Sequence, residues 1–504
     1  MVAITYTVAF EGITARLVEV QCAVSPGLPA FAIVGLPDKA VSEARERVRA
    51  ALSALAIALP SKRITINLSP ADLPKEGSHF DLPIAISLLA ALDLIPKQNA
   101  AASVSLGELS LDGSLVHVIG ALPAAMTAAA EDKTLICPKP CGAEAAWVAA
   151  SSVIAPASLG ALLAHFSGQN PLPAAQPRAS RAHEMIKDLA DVKGQEKAKR
   201  ALEIAAAGRH HLLLVGSPGS GKSMLAARLP GLLPPLDPRE ALETSMIHSV
   251  SGLLGESGII QSRPFREPHH SASIAAIVGG GRGAKPGEIG LAHNGVLFLD
   301  EFPEFSRAVL ETLRQPLETG DVVVARANAH TRYPCRFLLV AAANPCRCGY
   351  LAEADRACPR APACGDDYMG KISGPLMDRF DLRVEVPPVA YSDLGTSSTS
   401  ETSTVVAERI AAARAIQTVR YKECADTHVN ADAEGSVLDA CATPDQSGMA
   451  LLLTAAERFG FSARAYHRIL RVSRTIADLA GSAEVQRTHI AEAIGFRLTF
   501  GRHE

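Results

Sequence analysis

Residues 211–223, HLLLVGSPGSGKS, hold the side-chain types and spacing that bind a polyphosphate. Gly216, Gly219 and Gly221 let the backbone turn tightly and aim its amides at phosphate oxygens, with Ser217, Pro218 and Ser220 between them. Lys222 adds a point charge for the β- and γ-phosphates, Ser223 offers a hydroxyl to Mg²⁺, and Met224 continues into the helix that must follow such a loop. Further on, VLFLDE at 296–301 sets two carboxylates at the end of an apolar run. Asp300 suits Mg²⁺, held through water. Glu301 suits the orientation and deprotonation of an attacking water. Asn344 follows a third apolar run, 337–342, and its amide can sense a γ-phosphate. A glycine turn, an acidic strand end and a turn asparagine are each common. Their order, with a complete G-x-x-x-x-G-K-S, predicts hydrolysis of ATP with Mg²⁺ as cofactor.

These residues can act together only if parallel strands deliver them to one sheet edge. LLLV (212–215), VLFL (296–299) and 337–342 are predicted to be those strands, within an α/β unit spanning 183–390. Residues 405–504 are helical by period, with Ile469, Leu470, Val472, Ile476 and Leu479 on one face. Residues 1–166 alternate β-rich segments (ITYTVAF, RITINLS, VSLGELS) with helical ones at 39–59, 82–94 and 122–130, which predicts a separate α/β or α+β domain. The Pro-, Ser- and Ala-rich stretch 167–182 reads as a linker, and the polar stretch 391–404 as a mobile loop.

The chain has 504 residues, 48% hydrophobic and 20% charged, and a formal charge of 49 − 52 = −3. That suits several packed cores and excludes a global basic field, so any nucleic-acid contacts must be local. No apolar run is long enough to span a membrane, and Met1–Phe10 has no signal-peptide character. The expectation is a cytoplasmic protein without a membrane partner, its ten cysteines mostly reduced. Cys346, Cys348, Cys358 and Cys364, spaced C-x-C-x9-C-x5-C, could close a tetrahedral Zn²⁺ site; the alternative is four free or redox-active thiols. Cys22, Cys137, Cys141, Cys335, Cys424 and Cys441 are scattered. Residues 321–336 read as a β-hairpin bearing Arg326, His330 and Arg332. An insertion at 265–290 carries His269, His270, Arg282 and Lys285 amid glycines. Such basic loops can follow a phosphate backbone without reading sequence, or can simply be solvated. Adjacent His269 and His270 do not make a metal pair.

Taken in order, these elements resemble AAA+ ATPases. The runs FAIVGLPDKAVSEARERVRAAL at Phe31, SPADLPKEGSHFDLPIA at Ser69, GELSLDGSL at Gly107, REPHHSASIAAIVGGG at Arg266, PGEIGLAHNGVLFLDE at Pro286, KISGPLMDRFDLRVEVP at Lys371 and SARAYHRILRVSRTIADLAG at Ser462 resemble the YifB/ComM family of the Mg-chelatase-like group. The resemblance implies a P-loop AAA+ core with a parallel sheet, a helical C-terminal lid and an N-terminal α/β domain like that of Lon protease, of the ribosomal S5 domain 2-like type. It implies that Arg379 is an arginine finger reaching a neighbouring subunit, and that Arg464 is a lid arginine touching nucleotide in cis, with Arg468 one turn away as competitor. It implies that Gln195 lines the adenine pocket and that the 321–336 hairpin points into a central channel. It further implies a homo-hexameric motor on single-stranded or branched DNA, a branch-migration helicase in natural transformation; the rival is a chelatase-type ATPase remodelling a protein partner. Peptidase activity is not expected. His79 stands where the nucleophile would be, Ser78 is one position off, and Pro123, which has no amine, stands where the lysine base would be.

Overall fold

The computed structural model describes residues 2–178, 187–254, 258–281, 284–326, 329–351, 356, 358–389 and 401–497, the side chains of 325–330 excepted. The N-terminal sheet grows from an antiparallel hairpin, Val2–Glu11 with Thr14–Ser25, in register from Val2↔Ala23 to Glu11↔Thr14. Burial alternates along Val2–Glu11, as it must when one sheet face meets a core. Arg63–Ser69 and then Ala30–Val34 extend the sheet on one side, and Ser103–Ser105, Thr134–Ile136 and Val153–Ile154 on the other, giving seven strands among the described residues. Helix Asp81–Ala91 packs on the hairpin and on helix Lys39–Ala54, and almost every residue of DLPIAISLLAA is buried, so the sequence has no polar face to present. The helix expected at 39–59 stops at Ala54, where Ala56 turns to φ +57° and Pro60 lies ahead.

The first half of the expected linker is not free. Ala174 bridges Ile154, and Ala175 N donates to Val153 O at 2.8 Å. An unpaired strand edge exposes backbone groups, and this segment covers them. Residues 179–186 lie outside the described residues.

The second sheet is parallel throughout, in the order Phe265–Arg266, Val296–Leu299, Leu338–Ala343, Leu212–Val215, Leu382–Glu385. Leu212–Val215, Val296–Leu299 and Leu338–Ala343 are fully buried, which is why the sequence reads there as continuous apolar runs. The C-terminal region is helical. Helix Ser403–Arg420 begins two residues inside the expected 391–404 loop, because Asp188 Oδ1 accepts Ser403 N at 2.8 Å and fixes its start; 390–400 lie outside the described residues. On helix Ala463–Leu479, Ile469, Leu470, Val472 and Ile476 are buried and Leu479 is partly so, all in one core cluster with helix Glu196–Gly208.

The N-terminal domain meets the second sheet's unit at several places among the described residues. Glu144 Oε1 accepts Leu122 N at 3.1 Å and the Ser249 hydroxyl, beside a bond from Gly120 N to Ser249 O. The hairpin turn at Gly12 lies against strand Ala329–Pro334, where a Cβ would stand 3.0 Å from Thr331 Cγ2 and 3.1 Å from Arg332 O. Phe10 and Ile13 pack into the cluster that holds Tyr333. Among the described residues no helix is long and apolar enough to cross a membrane.

Candidate active site

Strand Leu212–Val215 lies between its two neighbours and releases the chain into the loop at the C-terminal edge of the sheet. Gly216 passes so close to Val386 O that a Cβ would fall 2.2 Å from it. Gly219 and Gly221, at φ +78° and +94°, face open space within 4 Å, a cradle with room for a ligand. Helix Lys222–Ala226 follows, with Met224 exposed. The buried Lys222 ammonium donates to Gly216 O (2.8 Å), Ser217 O (3.0 Å) and Asn344 Oδ1 (3.1 Å). Burial holds its pKa below the ordinary lysine value, with Asp300 and Glu301 pulling the other way. Pro218 closes the far side of the loop against Gly349, and Ser220 is buried.

Ser223 Oγ donates to Asp300 Oδ2 at 2.6 Å. A hydroxyl and a carboxylate side by side are hard oxygen donors and fit Mg²⁺. Glu301 takes φ +49°, an uncommon conformation for a residue with a side chain, while its N–H donates to Asp300 Oδ1 at 2.8 Å. Its exposed carboxylate meets His270, with Nδ1 3.1 Å from Oε2. His270 lies tilted against His269, ring centroids 4.1 Å apart, and turns edge-on to Phe305. The sequence reading passed over His270 as a partner of Glu301. Its segment follows strand Phe265–Arg266, and only the pairing of that strand with Val296–Leu299 brings it to Glu301.

Gln195 adopts φ +61° and donates to Pro387 O (2.5 Å) and Ser220 O (3.4 Å), which ties the phosphate loop to the exit of the edge strand. Arg379 is 4% exposed. It bonds Glu318 and Pro375 O (3.1 Å), and its Nε has no partner among the described residues. Arg464 is exposed on helix Ala463–Leu479, whereas Arg468 is committed to Asp381 and to Arg379 O (2.8 Å). Of the two, only Arg464 is exposed.

The zinc expectation gains no support. Cys346 Sγ and Cys348 Sγ are 3.1 Å apart. Among the described residues no three His, Cys, Asp or Glu side chains are arranged to hold a metal ion. In the N-terminal domain His79 is buried, with Nε2 2.9 Å from Val8 O, Ser78 bonds Glu108, and Pro123 lies buried in helix Ala121–Ala130, so no nucleophile–base pair forms at these positions. The 321–336 hairpin is formed by Asp321–Arg326 with Ala329–Pro334, and Arg332 is 70% exposed with Asp321 Oδ2 at 3.4 Å. The Arg326 side chain and all of Arg282 lie outside the described residues, and Lys285 is exposed.

A phosphate loop, an acidic strand end and a polar amide at one edge of a parallel sheet define a P-loop nucleotide site. Residues 188–394 match the family Magnesium chelatase, subunit ChlI; residues 18–140 match Subunit ChlI of Mg-chelatase, and residues 400–497 its C-terminal family. The chain is 44% identical to Competence protein ComM of Haemophilus influenzae over 98% of its own length and 97% of that protein. It is 42% identical to the uncharacterized protein YifB of Escherichia coli over 98% and 96%. Similarity to the Magnesium-chelatase 38 kDa subunit of Rhodobacter capsulatus is 28%, over 42% of this chain and 59% of that one. The chain belongs to the YifB/ComM family of Mg-chelatase-like AAA+ ATPases.

Proposed function

We propose that this chain hydrolyses ATP and, assembled as a homo-hexamer, uses the cycle to drive single-stranded or branched DNA. The contact of Ser223 with Asp300, beside Lys222 bonded to Asn344, carries the first half. Phosphate oxygens replace Gly216 O, Ser217 O and Asn344 as partners of Lys222, and Ser223 with Asp300 would hold Mg²⁺, which neutralises phosphate charge when bound. Asn344, so released, faces the γ-phosphate. Glu301 orients the attacking water and takes its proton. Arg464 approaches the nucleotide from the lid. Arg379 must leave Glu318 to reach a neighbour's γ-phosphate, so subunit contact and finger release are one event.

Support for DNA comes from the two insertions. The ribbon Gly279–Gly280 with Lys285–Pro286 lies against the hairpin, where a Cβ on Gly279 would stand 3.0 Å from Val324 Cγ2, and Tyr333 OH donates to Ala284 O at 2.9 Å. Exposed Lys285 and Arg332 thus belong to one packed assembly. The competence protein among the relatives fits this reading; the chelatase subunit fits protein remodelling instead.

Replacing Glu301 by Gln is expected to leave ATP binding intact and lower turnover by about 10²-fold or more, while Lys222→Ala loses binding. Nucleotide affinity and phosphate release, each with and without forked DNA, check both halves. Wild-type turnover in Glu301→Gln removes the site assignment. Turnover and binding indifferent to DNA favour the remodelling reading.

A further inference from the structure

Arg379 is held by three separate elements. Its buried guanidinium bonds Glu318 and donates to Pro375 O at 3.1 Å. Its backbone oxygen accepts Arg468, from helix Ala463–Leu479, at 2.8 Å. Glu318 belongs to the short helix Arg314–Thr319, which passes through Gly320, at φ +69°, into strand Asp321–Arg326 of the hairpin. That helix and the hairpin are fastened to each other. Cys335 N donates to Gly320 O at 2.7 Å and closes the hairpin base, and Asp321 N donates to the Thr319 hydroxyl at 3.3 Å. Leu317 packs against the cluster that holds Val322, Val324 and Tyr333. A displacement of the hairpin base is therefore carried to the helix that bears the Glu318 carboxylate.

We propose that Glu318 is a positioning residue that latches Arg379 inward, and that DNA displacing the hairpin withdraws the carboxylate and frees the guanidinium for the neighbouring subunit's nucleotide. While Arg379 keeps its bonds to Glu318 and Pro375 O it is buried and out of reach of a second subunit. The Glu318 side chain is 54% exposed, and an ion pair with one partner in water is a weak tie, which suits a contact that must open in every cycle. Hairpin position and finger release then form one coupled equilibrium, and such coupling runs both ways. Arg379 engaged by a neighbour leaves the hairpin without its tether. The effect on hydrolysis rests on the trans role proposed above for Arg379 and on the proposed contact with DNA; the latch itself does not.

Glu318→Gln removes the charge and keeps the shape. In the assembled full chain its turnover without DNA is expected to rise by about fivefold or more, a coupling of ordinary size between two sites, with KM for ATP unchanged. Stimulation by forked DNA shrinks by a similar factor, and Glu318→Asp, which keeps the charge, restores part of the dependence on DNA. Arginine modification by phenylglyoxal, mapped by mass spectrometry, reads the latch without reference to hydrolysis. Arg379 is expected to be protected in the wild-type chain, and modified in Glu318→Gln and in the wild type with forked DNA. Turnover that is unchanged or lower in Glu318→Gln overturns the proposal, since a carboxylate that merely supports the finger gives that result. Arg379 as protected in Glu318→Gln as in the wild type also overturns it, and protection indifferent to DNA removes the hairpin's part. If Arg379→Ala hydrolyses ATP at the wild-type rate, the trans role fails, and the modification pattern still decides the latch.

Discussion

At the scale of single residues, Glu301 owes its geometry to its surroundings. A left-handed backbone, a bond to its neighbour's carboxylate and one imidazole define where its carboxylate lies. Removing His270 leaves the phosphate loop untouched but frees the Glu301 side chain to wander. His270→Ala is expected to preserve KM and lower kcat by about tenfold, because orientation rather than binding is lost. Steady-state kinetics check this, with His270→Gln restoring part of the rate through a retained hydrogen bond; an unchanged kcat makes the contact incidental. The phosphate loop and both carboxylates were legible in the sequence because their spacing is local. His270 was not, because its role arises from a partner met only after two parallel strands pair. Nor could the sequence separate Arg464 from Arg468, one turn apart on one helix; only Asp381, brought over from the sheet, divides them.

At the scale of elements, Asp381 joins helix Ala463–Leu479 to the sheet. It accepts His211 N at 3.1 Å at the start of the phosphate-loop strand, and it pairs with Arg468 from helix Ala463–Leu479. Burial by itself raises a carboxyl pKa, but Arg468, then His210, hold Asp381 well below the usual range. A depressed carboxyl contributes stability that is present above its unfolded value and lost only as pH falls through the folded one. Arg468→Ala strands a buried carboxylate and is expected to cost about 3 kcal/mol at neutral pH. The deficit is largest at neutral pH and narrows in acid, since the stranded carboxyl then takes up a proton. Denaturant melts of both proteins at neutral and acid pH check the sign; a deficit independent of pH means Asp381 is not the group responsible. Apolar periodicity made helix Ala463–Leu479 and the buried strands readable. It could not show that the segment after residue 167 would close a sheet edge, because backbone pairing leaves little trace in side-chain type.

At the scale of the molecule, a chain of net charge −3 carries no overall basic field, so contacts to a polyanion must be local. Exposed Arg332, with Arg326 on the same hairpin, is expected to carry much of any phosphate contact. Replacing both by Ala is expected to weaken DNA binding, reduce the slope of log affinity against log salt by about two, and spare basal hydrolysis. Anisotropy at several salt concentrations measures this. An unaltered slope places the contacts elsewhere.

The turn at Gly12 has a consequence for how the molecule can vary. It touches the back of that hairpin through bare backbone, at φ +67°, where any side chain meets Thr331 and the Arg332 carbonyl. A substitution in the hairpin would then find its suppressors at Phe10, Gly12 and Ile13, in the N-terminal domain. Two surfaces that seem free to diverge separately are bound to a shared history, and a change in one should be followed by an answering change in the other.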